Sequence, residues 1–318
     1  MTTLSLGLHY GIADDTYHAD PAPVPSLSST LARLILDRSP LHAWWAHPRL
    51  NPDFEPKDSK TFDIGRAAHR AVLGAGSDYV AIPGELLSDD GGVRRKEAKE
   101  WVADARASGL TPLKAAEVDQ IDSIADSVRR KLDGMRIQID PDYSEVTALA
   151  EIDGCPVRAR FDNAPKGKPY LLDLKTTADA SPDGCIRAVA EYGLDLQAAF
   201  YLDTWHAATG ERRKMRFVFV EKAPPYEVGV IELHARPGDE ADWMDDAYGK
   251  AACARALWLD GITNNRWPGY PAQVAIIGAP GWYRKKWEDL GAAPQVSDPS
   301  PETIARATAW QSPEGYHA

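Results

Sequence analysis

Val157-Arg158-Ala159-Arg160-Phe161-Asp162 and, after a turn, Tyr170-Leu171-Leu172-Asp173-Leu174-Lys175-Thr176-Thr177 form the stretch whose reading decides the fold. Both pieces are short, β-rich and alternating, and the residues from Pro165 to Pro169 break between them. Successive side chains on a strand point to opposite faces. Asp173 and Lys175 therefore share one face and Leu172 and Leu174 the other. Arg158, Arg160 and Asp162 likewise share a face, opposite Val157, Ala159 and Phe161. An earlier strand starts at Glu145-Val146-Thr147 and closes at the turn Asp153-Gly154. Downstream, Leu194 to Tyr201 has helical spacing, with Gln197 and Tyr201 one turn apart on one side. Two carboxylates at a sheet edge make a hard oxygen site suited to Mg²⁺ or Mn²⁺. A lysine beside them is a point charge that can hold a water or offset charge on a phosphate. A lone Asp-X-Lys is more often a simple strand-end ion pair, so its companions decide.

Working outward, the 318 residues suit one large domain or one domain with a helical insertion. Hydrophobic residues at 44% and charged residues at 26% are those of a globular protein. No apolar run reaches the length of a membrane span, and Met1-Thr2-Thr3-Leu4-Ser5 lacks the basic start of a secretory leader. A cytoplasmic location in a bacterial host and no membrane partner are expected. Cys155, Cys185 and Cys253 are odd in number and far apart, which predicts reduced packing thiols and argues against an iron–sulfur cluster. The net charge of −11 opposes nucleic-acid binding over a broad surface, because phosphate contacts need local positive charge. It predicts an enclosed path. Arg94-Arg95-Lys96, Arg212-Arg213-Lys214 with Arg216, and Arg284-Lys285-Lys286 are candidate basic clusters, though such runs are more often solvated faces.

Ser26, Ser28 or Ser29 can cap a helix through Leu31 to Asp37, and Ser39-Pro40 can start the next, where Trp44 and Trp45 are expected to pack. Thr61 to Leu73 reads as a helix with small residues at Gly65, Ala67 and Ala68, and His69 one turn after Gly65. Amphipathic helices are predicted over Val93–Ala107 and Leu113–Leu132, one helix from Pro182 to His206, strands at Met215–Val220 and Glu227–Leu233, and a helix from Glu240 to Leu259. Beyond Tyr270 the chain is rich in Pro, Gly and Ala with scattered Trp, and partial order or a subunit contact is expected.

Gly65 to His69, Glu145, Asp162, Asp173-Leu174-Lys175 and Gln197 to Tyr201, in that order, resemble the RecB-like branch of the PD-(D/E)XK nuclease superfamily. More narrowly the chain is similar to RecE-type (exonuclease VIII-like) nucleases of phages and prophages. Further stretches carry the likeness: Pro25 to Leu31 with Ser39-Pro40, Phe217 to Glu221, Pro224 to Val230, and Trp267 to Tyr270. The resemblance implies an α/β fold with a PD-(D/E)XK restriction-endonuclease-like core, a mixed central sheet flanked by helices and N-terminal helical elements. It gives one domain over 1–270, helical to 140 and catalytic from 141, with 271–318 as an extension.

The same resemblance implies a metal-dependent 5′→3′ exodeoxyribonuclease that degrades one strand of linear duplex DNA. The 3′ single-stranded overhang would feed recombination by strand annealing. Asp162, Asp173, Lys175, Glu145, Gln197 and Tyr201 are its catalytic candidates, with Glu151 the fallback for Glu145. His69, Asp162, Asp173, Glu145 and the Leu174 carbonyl would hold Mg²⁺ or Mn²⁺, two ions per site. Ser28, Arg66, Arg158 and Arg160 are candidate phosphate contacts. Implied partners are double-stranded DNA ends, a phage single-strand annealing protein, and copies of the chain in a trimeric or tetrameric ring. A single-strand-specific or endonucleolytic member of the superfamily, or a catalytically silent DNA-binding or assembly protein of the same fold, are the alternatives.

Overall fold

The computed structural model describes residues 3–55, 63–76, 78–234, 242–288 and 302. The chain divides into two units, Met1–Tyr270 and Pro271–Ala318.

The first unit is built on a six-stranded sheet in the order β1-β4-β5-β6-β7-β8: β1 Gly7–His9, β4 Ser144–Ile152, β5 Cys155–Asn163, β6 Tyr170–Thr177, β7 Lys214–Glu221 and β8 Val228–Ile231. Neighbours are antiparallel except β6 and β7, which run parallel through the crossover helices between them. A separate parallel pair joins β2 (Tyr79–Ala81) and β3 (Thr111–Leu113). The helices are α1 Asp14–His18, α2 Ser29–Asp37, α3 Pro40–Trp45, α4 Asp63–Leu73, α5 Lys96–Ala107, α6 Ala115–Gly134, α7 Pro182–Tyr192, α8 Leu194–Thr209 and α9 Trp243–Asn264, with α10 Gly281–Glu288 in the second unit.

Alternation along the strands sorts the core into two layers. Leu171 of β6, Phe217 and Phe219 of β7, and Val157, Ala159 and Phe161 of β5 pack with α2, α7, α8 and α9. Leu172 and Leu174, with Val218 and Val220, pack with Ala68, Val72 and Leu73 of α4 and Ile124, Val128 and Leu132 of α6. Removing these side chains from water is the main favourable term holding helices to both faces.

β5 and β6 share only one register pair, Asn163 with Leu172, and then part. Farther along the same edge of β5, Leu27 bridges Val157, with Leu27 N donating to the Pro156 carbonyl at 2.9 Å and Arg158 N to the Leu27 carbonyl at 2.8 Å. Between those two closures lies a seam in the middle of the sheet.

Ser28 caps α2, its Oγ accepting from Leu31 N, and Ser39 precedes Pro40 at the start of α3. The helix expected from Pro182 to His206 is two helices. Gly193 sits between them at φ +63°, a left-handed conformation that ends α7 and turns the chain into α8. Arg33 of α2 caps that end, donating to the carbonyls of Tyr192 at 2.7 Å and Glu191 at 2.9 Å. Trp45, expected to pack, is 59% exposed. Cys155 and Cys185 are buried thiols, whereas Cys253 is exposed. Thr61, Phe62, Glu240 and most of 289–318 lie outside the described residues. No described helix is long and apolar enough to cross a membrane.

Candidate metal centre

At the seam, strand backbone that would otherwise bond to a neighbouring strand is met by side chains. The Leu174 N–H donates to Asp162 Oδ2 at 2.7 Å, and the Leu174 carbonyl accepts from His69 Nε2 at 2.8 Å. A carbonyl oxygen only accepts, so Nε2 carries a proton. In the neutral ring Nδ1 then presents a lone pair, and it lies 3.6 Å from Asp162 Oδ2. Two electron-rich groups that close fit a cation held between them.

His69 reaches the seam because α4 lies close against β6. Ala67 and Ala68 are fully buried, and a Cβ on Gly65 would stand 3.8 Å from Thr176 Oγ1. Glu145, at the start of β4, occupies left-handed space at φ +52°. That conformation is costly for a residue with a Cβ. It sets the carboxylate beside Asp162 on the adjoining strand. One donor atom from each of His69, Glu145 and Asp162 lies within 4.8 Å of the others, none of the three residues fully buried. An imidazole nitrogen with two carboxylates suits a divalent cation in the Mg²⁺–Mn²⁺ range, so the residues present fit such an ion.

Asp173 is held differently. It is 1% exposed, with Gln197 Nε2 of α8 donating to Oδ1 at 3.0 Å and Lys175 Nζ 2.5 Å from Oδ2. Asp173 lies on the strand face turned to α8, while Glu145 and Asp162 lie on the face shared with α4. Asp173 is not one of the three residues whose donor atoms gather within 4.8 Å; it stands beside them, tied to Gln197 and Lys175. Burial, reinforced by Asp162, pushes the Glu145 carboxyl up to about 8. Burial also pushes Asp173 up to about 6, against the opposing pull of Lys175. Burial acts to lower Lys175, but Asp173 and Asp162 prevail and raise it, which keeps the ammonium charged. Such a packed acidic group is the setting that a bound cation relieves. Tyr201 is buried edge-on to Phe161 at 5.2 Å, and burial raises its phenol well above the usual value.

The candidate phosphate contacts fare unequally. Arg158 and Arg160 are 5% and 8% exposed and are committed to protein acceptors. Arg158 Nη1 bonds Ser26 Oγ at 2.9 Å and pairs with Asp20 Oδ1 at 3.3 Å. Arg160 turns to Asp14 and the Ile12 carbonyl. Neither guanidinium is set out towards solvent. Ser28 is spent on its helix cap, and Arg66 is exposed on α4. Glu151 is exposed near the far end of β4, away from Glu145. Of the basic clusters, Arg94 pairs with Asp90, Arg213 lies over the Trp205 ring at 4.1 Å, and Arg216 binds Glu232.

Sequence reasoning did not find the group that ties the N-terminal segment down. Asp20, at φ +60°, is buried with Ser26 and His47. It accepts from Ser26 N at 2.9 Å and Ser26 Oγ at 2.6 Å, while His47 Nε2 lies 3.0 Å away with its N–H turned off that line. These positions carry no periodicity or motif, so only the folded chain reveals them.

A family model described as PDDEXK-like domain of unknown function (DUF3799) matches residues 37–278. Among solved structures, the chain is similar to a candidate exonuclease from Eubacterium rectale at 14% identity and a TM-score of 0.51, covering 86% of this chain and 96% of that one. That likeness concerns the fold. A phage related exonuclease from Haemophilus somnus overlaps at 9% identity and a TM-score of 0.32, covering 76% and 97% of the two chains. An alkaline exonuclease from Laribacter hongkongensis overlaps at 14% identity and a TM-score of 0.25, covering 65% and 97%. The last two overlaps are too slight to argue from. No curated protein matches.

Proposed function

The chain belongs to the PDDEXK-like family DUF3799, and from that premise we propose that it is a divalent-cation-dependent nuclease acting on linear double-stranded DNA. The observation that carries this reading is the convergence of His69, Glu145 and Asp162 at the β5–β6 seam, with the Asp173–Lys175 pair beside them. Asp162, Glu145 and His69 Nδ1 would hold the cation, with Asp173 offering a carboxylate from the opposite face of the sheet. When bound, Mg²⁺ or Mn²⁺ supplies Lewis acidity at the phosphoryl oxygens and lowers the pKa of water.

The chain's own groups do the rest. Lys175 keeps its charge, orients an attacking water and offsets negative charge that builds on the phosphate. Gln197 fixes Asp173 so that the carboxylate presents one geometry. Tyr201 stays a neutral phenol packed behind the site on Phe161. A 5′→3′ polarity, a 3′ overhang passed to an annealing protein, and assembly as a ring come from the motif resemblance and complete the proposal.

The test is digestion of linear duplex labelled at either end, with Mg²⁺ or with chelator, beside closed circular duplex. Stepwise nucleotide release from the 5′ ends of linear DNA, abolished by chelator and by Asp173→Asn, is expected. Cleavage of the closed circle would replace the exonuclease with an endonuclease. Equal activity of parent and Asp173→Asn would remove the site assignment.

A further inference from the structure

Arg160 of β5 is the point where the N-terminal segment meets the candidate metal centre. Its Nη1 lies 2.5 Å from Asp14 Oδ1, and its Nη2 donates to the Ile12 carbonyl at 2.7 Å and approaches that of Ala13 at 3.4 Å. The guanidinium lies over the Tyr17 ring, 4.5 Å from its centroid. Nε faces β4, 3.4 Å from Thr147 Oγ1 and 3.6 Å from Glu145 Oε2. Residues 12–17 lie before position 37, where the family match begins.

We propose that Arg160 is a positioning residue for the cation site, acting through Glu145, and that the segment 12–17 clasps it in that role. This rests on the cation reading given above. Glu145 sits on strained backbone with its carboxylate close to Asp162, so something must hold its direction. A guanidinium at 3.6 Å attracts the carboxylate and directs it yet is too far to take up its lone pairs in a hydrogen bond. Left alone, that positive charge would also repel a divalent ion. Asp14 offsets it, and the Ile12 carbonyl and the Tyr17 ring fix the plane of the guanidinium. The arrangement is a partner behind a ligand, of the kind that sets ligand orientation in metal sites.

The test uses the full chain without nucleic acid, and the probe is Mn²⁺, followed by calorimetry. Asp14→Asn and Arg160→Lys are expected to weaken Mn²⁺ binding by about 10-fold or more. Asp15→Asn makes the same change in net charge at an exposed carboxylate with no contact to Arg160, and should leave affinity unchanged. In a Glu145→Gln background, Asp14→Asn should add no further loss, because the pathway runs through that carboxylate. The Asp14 side chain is 47% exposed, so that variant keeps the test valid if Arg160→Lys folds poorly. Unchanged or tighter Mn²⁺ binding by Asp14→Asn, or an equal loss in Asp15→Asn, overturns the clasp while leaving the nuclease reading in place. Failure of the parent to bind Mn²⁺ removes the cation site and the clasp together.

Discussion

His69 Nε2 donates to the Leu174 carbonyl at 2.8 Å, so a helix side chain takes the place of a strand at the middle of the sheet. The bond fixes the tautomer and aims Nδ1 at Asp162. His69→Gln keeps an N–H donor for that carbonyl while removing the imidazole ligand. Its Mn²⁺ affinity is expected to fall by at least about 10-fold with little change in thermal unfolding, the scale seen when the support of a metal ligand is lost. Calorimetry beside a melting curve checks both, and retained affinity would take His69 out of the donor set.

Lys175 carries the only ammonium in contact with Asp173 among the described residues. Lys175→Met preserves the length of the stem and removes the charge. Single-turnover nucleotide release should drop by roughly 10²–10³-fold, the usual loss when one group aimed at transition-state charge is deleted. Mn²⁺ binding should persist. A smaller effect than tenfold would assign Lys175 to stability alone.

Glu145 costs the fold stability on two counts, a left-handed backbone and a largely desolvated acid. Asn enters left-handed space more readily. Glu145→Asn should therefore stabilise the cation-free protein by about 1 kcal/mol, which in a domain of this size raises the melting temperature by roughly 2–4 °C. The same change should weaken Mn²⁺ binding. Melting in chelator decides the first half, and a lower melting temperature would show that Glu145 is held without strain.

Acid should loosen the N-terminal segment through His47 and Asp20. Burial lowers His47 below its ordinary 6.5, against the pull of Asp20. Burial acts to raise Asp20, but His47, Arg158 and Ser26 together hold it below 3.8. Both folded-state values are depressed, so in each window the unfolded chain binds the extra proton and stability rises with pH. The contribution of His47 is fully present above 6.5 and fades as pH falls below it; that of Asp20 fades below 3.8. Relative to His47→Gln, the parent should lose up to about 1.4 kcal/mol per pH unit on acidification below 6.5. Denaturant unfolding at several pH values measures the difference, and parallel curves would contradict it.

Gly193→Ala places a Cβ 3.3 Å from Arg33 Cδ at φ +63°. A destabilisation of about 1–2 kcal/mol is expected. Because Gln197 sits one turn into α8, activity should fall as well. An unchanged melting curve would show that Gly193 is dispensable at the junction.

Much of the site was legible because strand alternation is a strict rule. Val157, Ala159 and Phe161 do face one layer, and Leu172 with Leu174 the other. Helical spacing put Gln197 and Tyr201 on one side of their helix, and the bond from Gln197 to Asp173 appears only in the folded chain. What could not be read depends on backbone that no periodicity encodes: the turn at Gly193, the left-handed Glu145, and the parting of β5 from β6. Arg158 and Arg160 were candidate phosphate contacts. Most of their acceptors come from residues 12–26, more than a hundred positions away, so pattern could not reveal that they are enclosed.

The ladder between β5 and β6 stops after one rung. A β-sheet is ordinarily a closed fabric, its polar backbone used up in holding itself together. Here the weave is left open for a short length, and the backbone there answers to Asp162 of the neighbouring strand and His69 of α4, while Gln197 of α8 holds the Asp173 carboxylate beside it. Any shift of α4 against α8 would consequently be felt at the acidic cluster as a change in spacing, which ties the geometry of the centre to how the two halves of the core are pressed together.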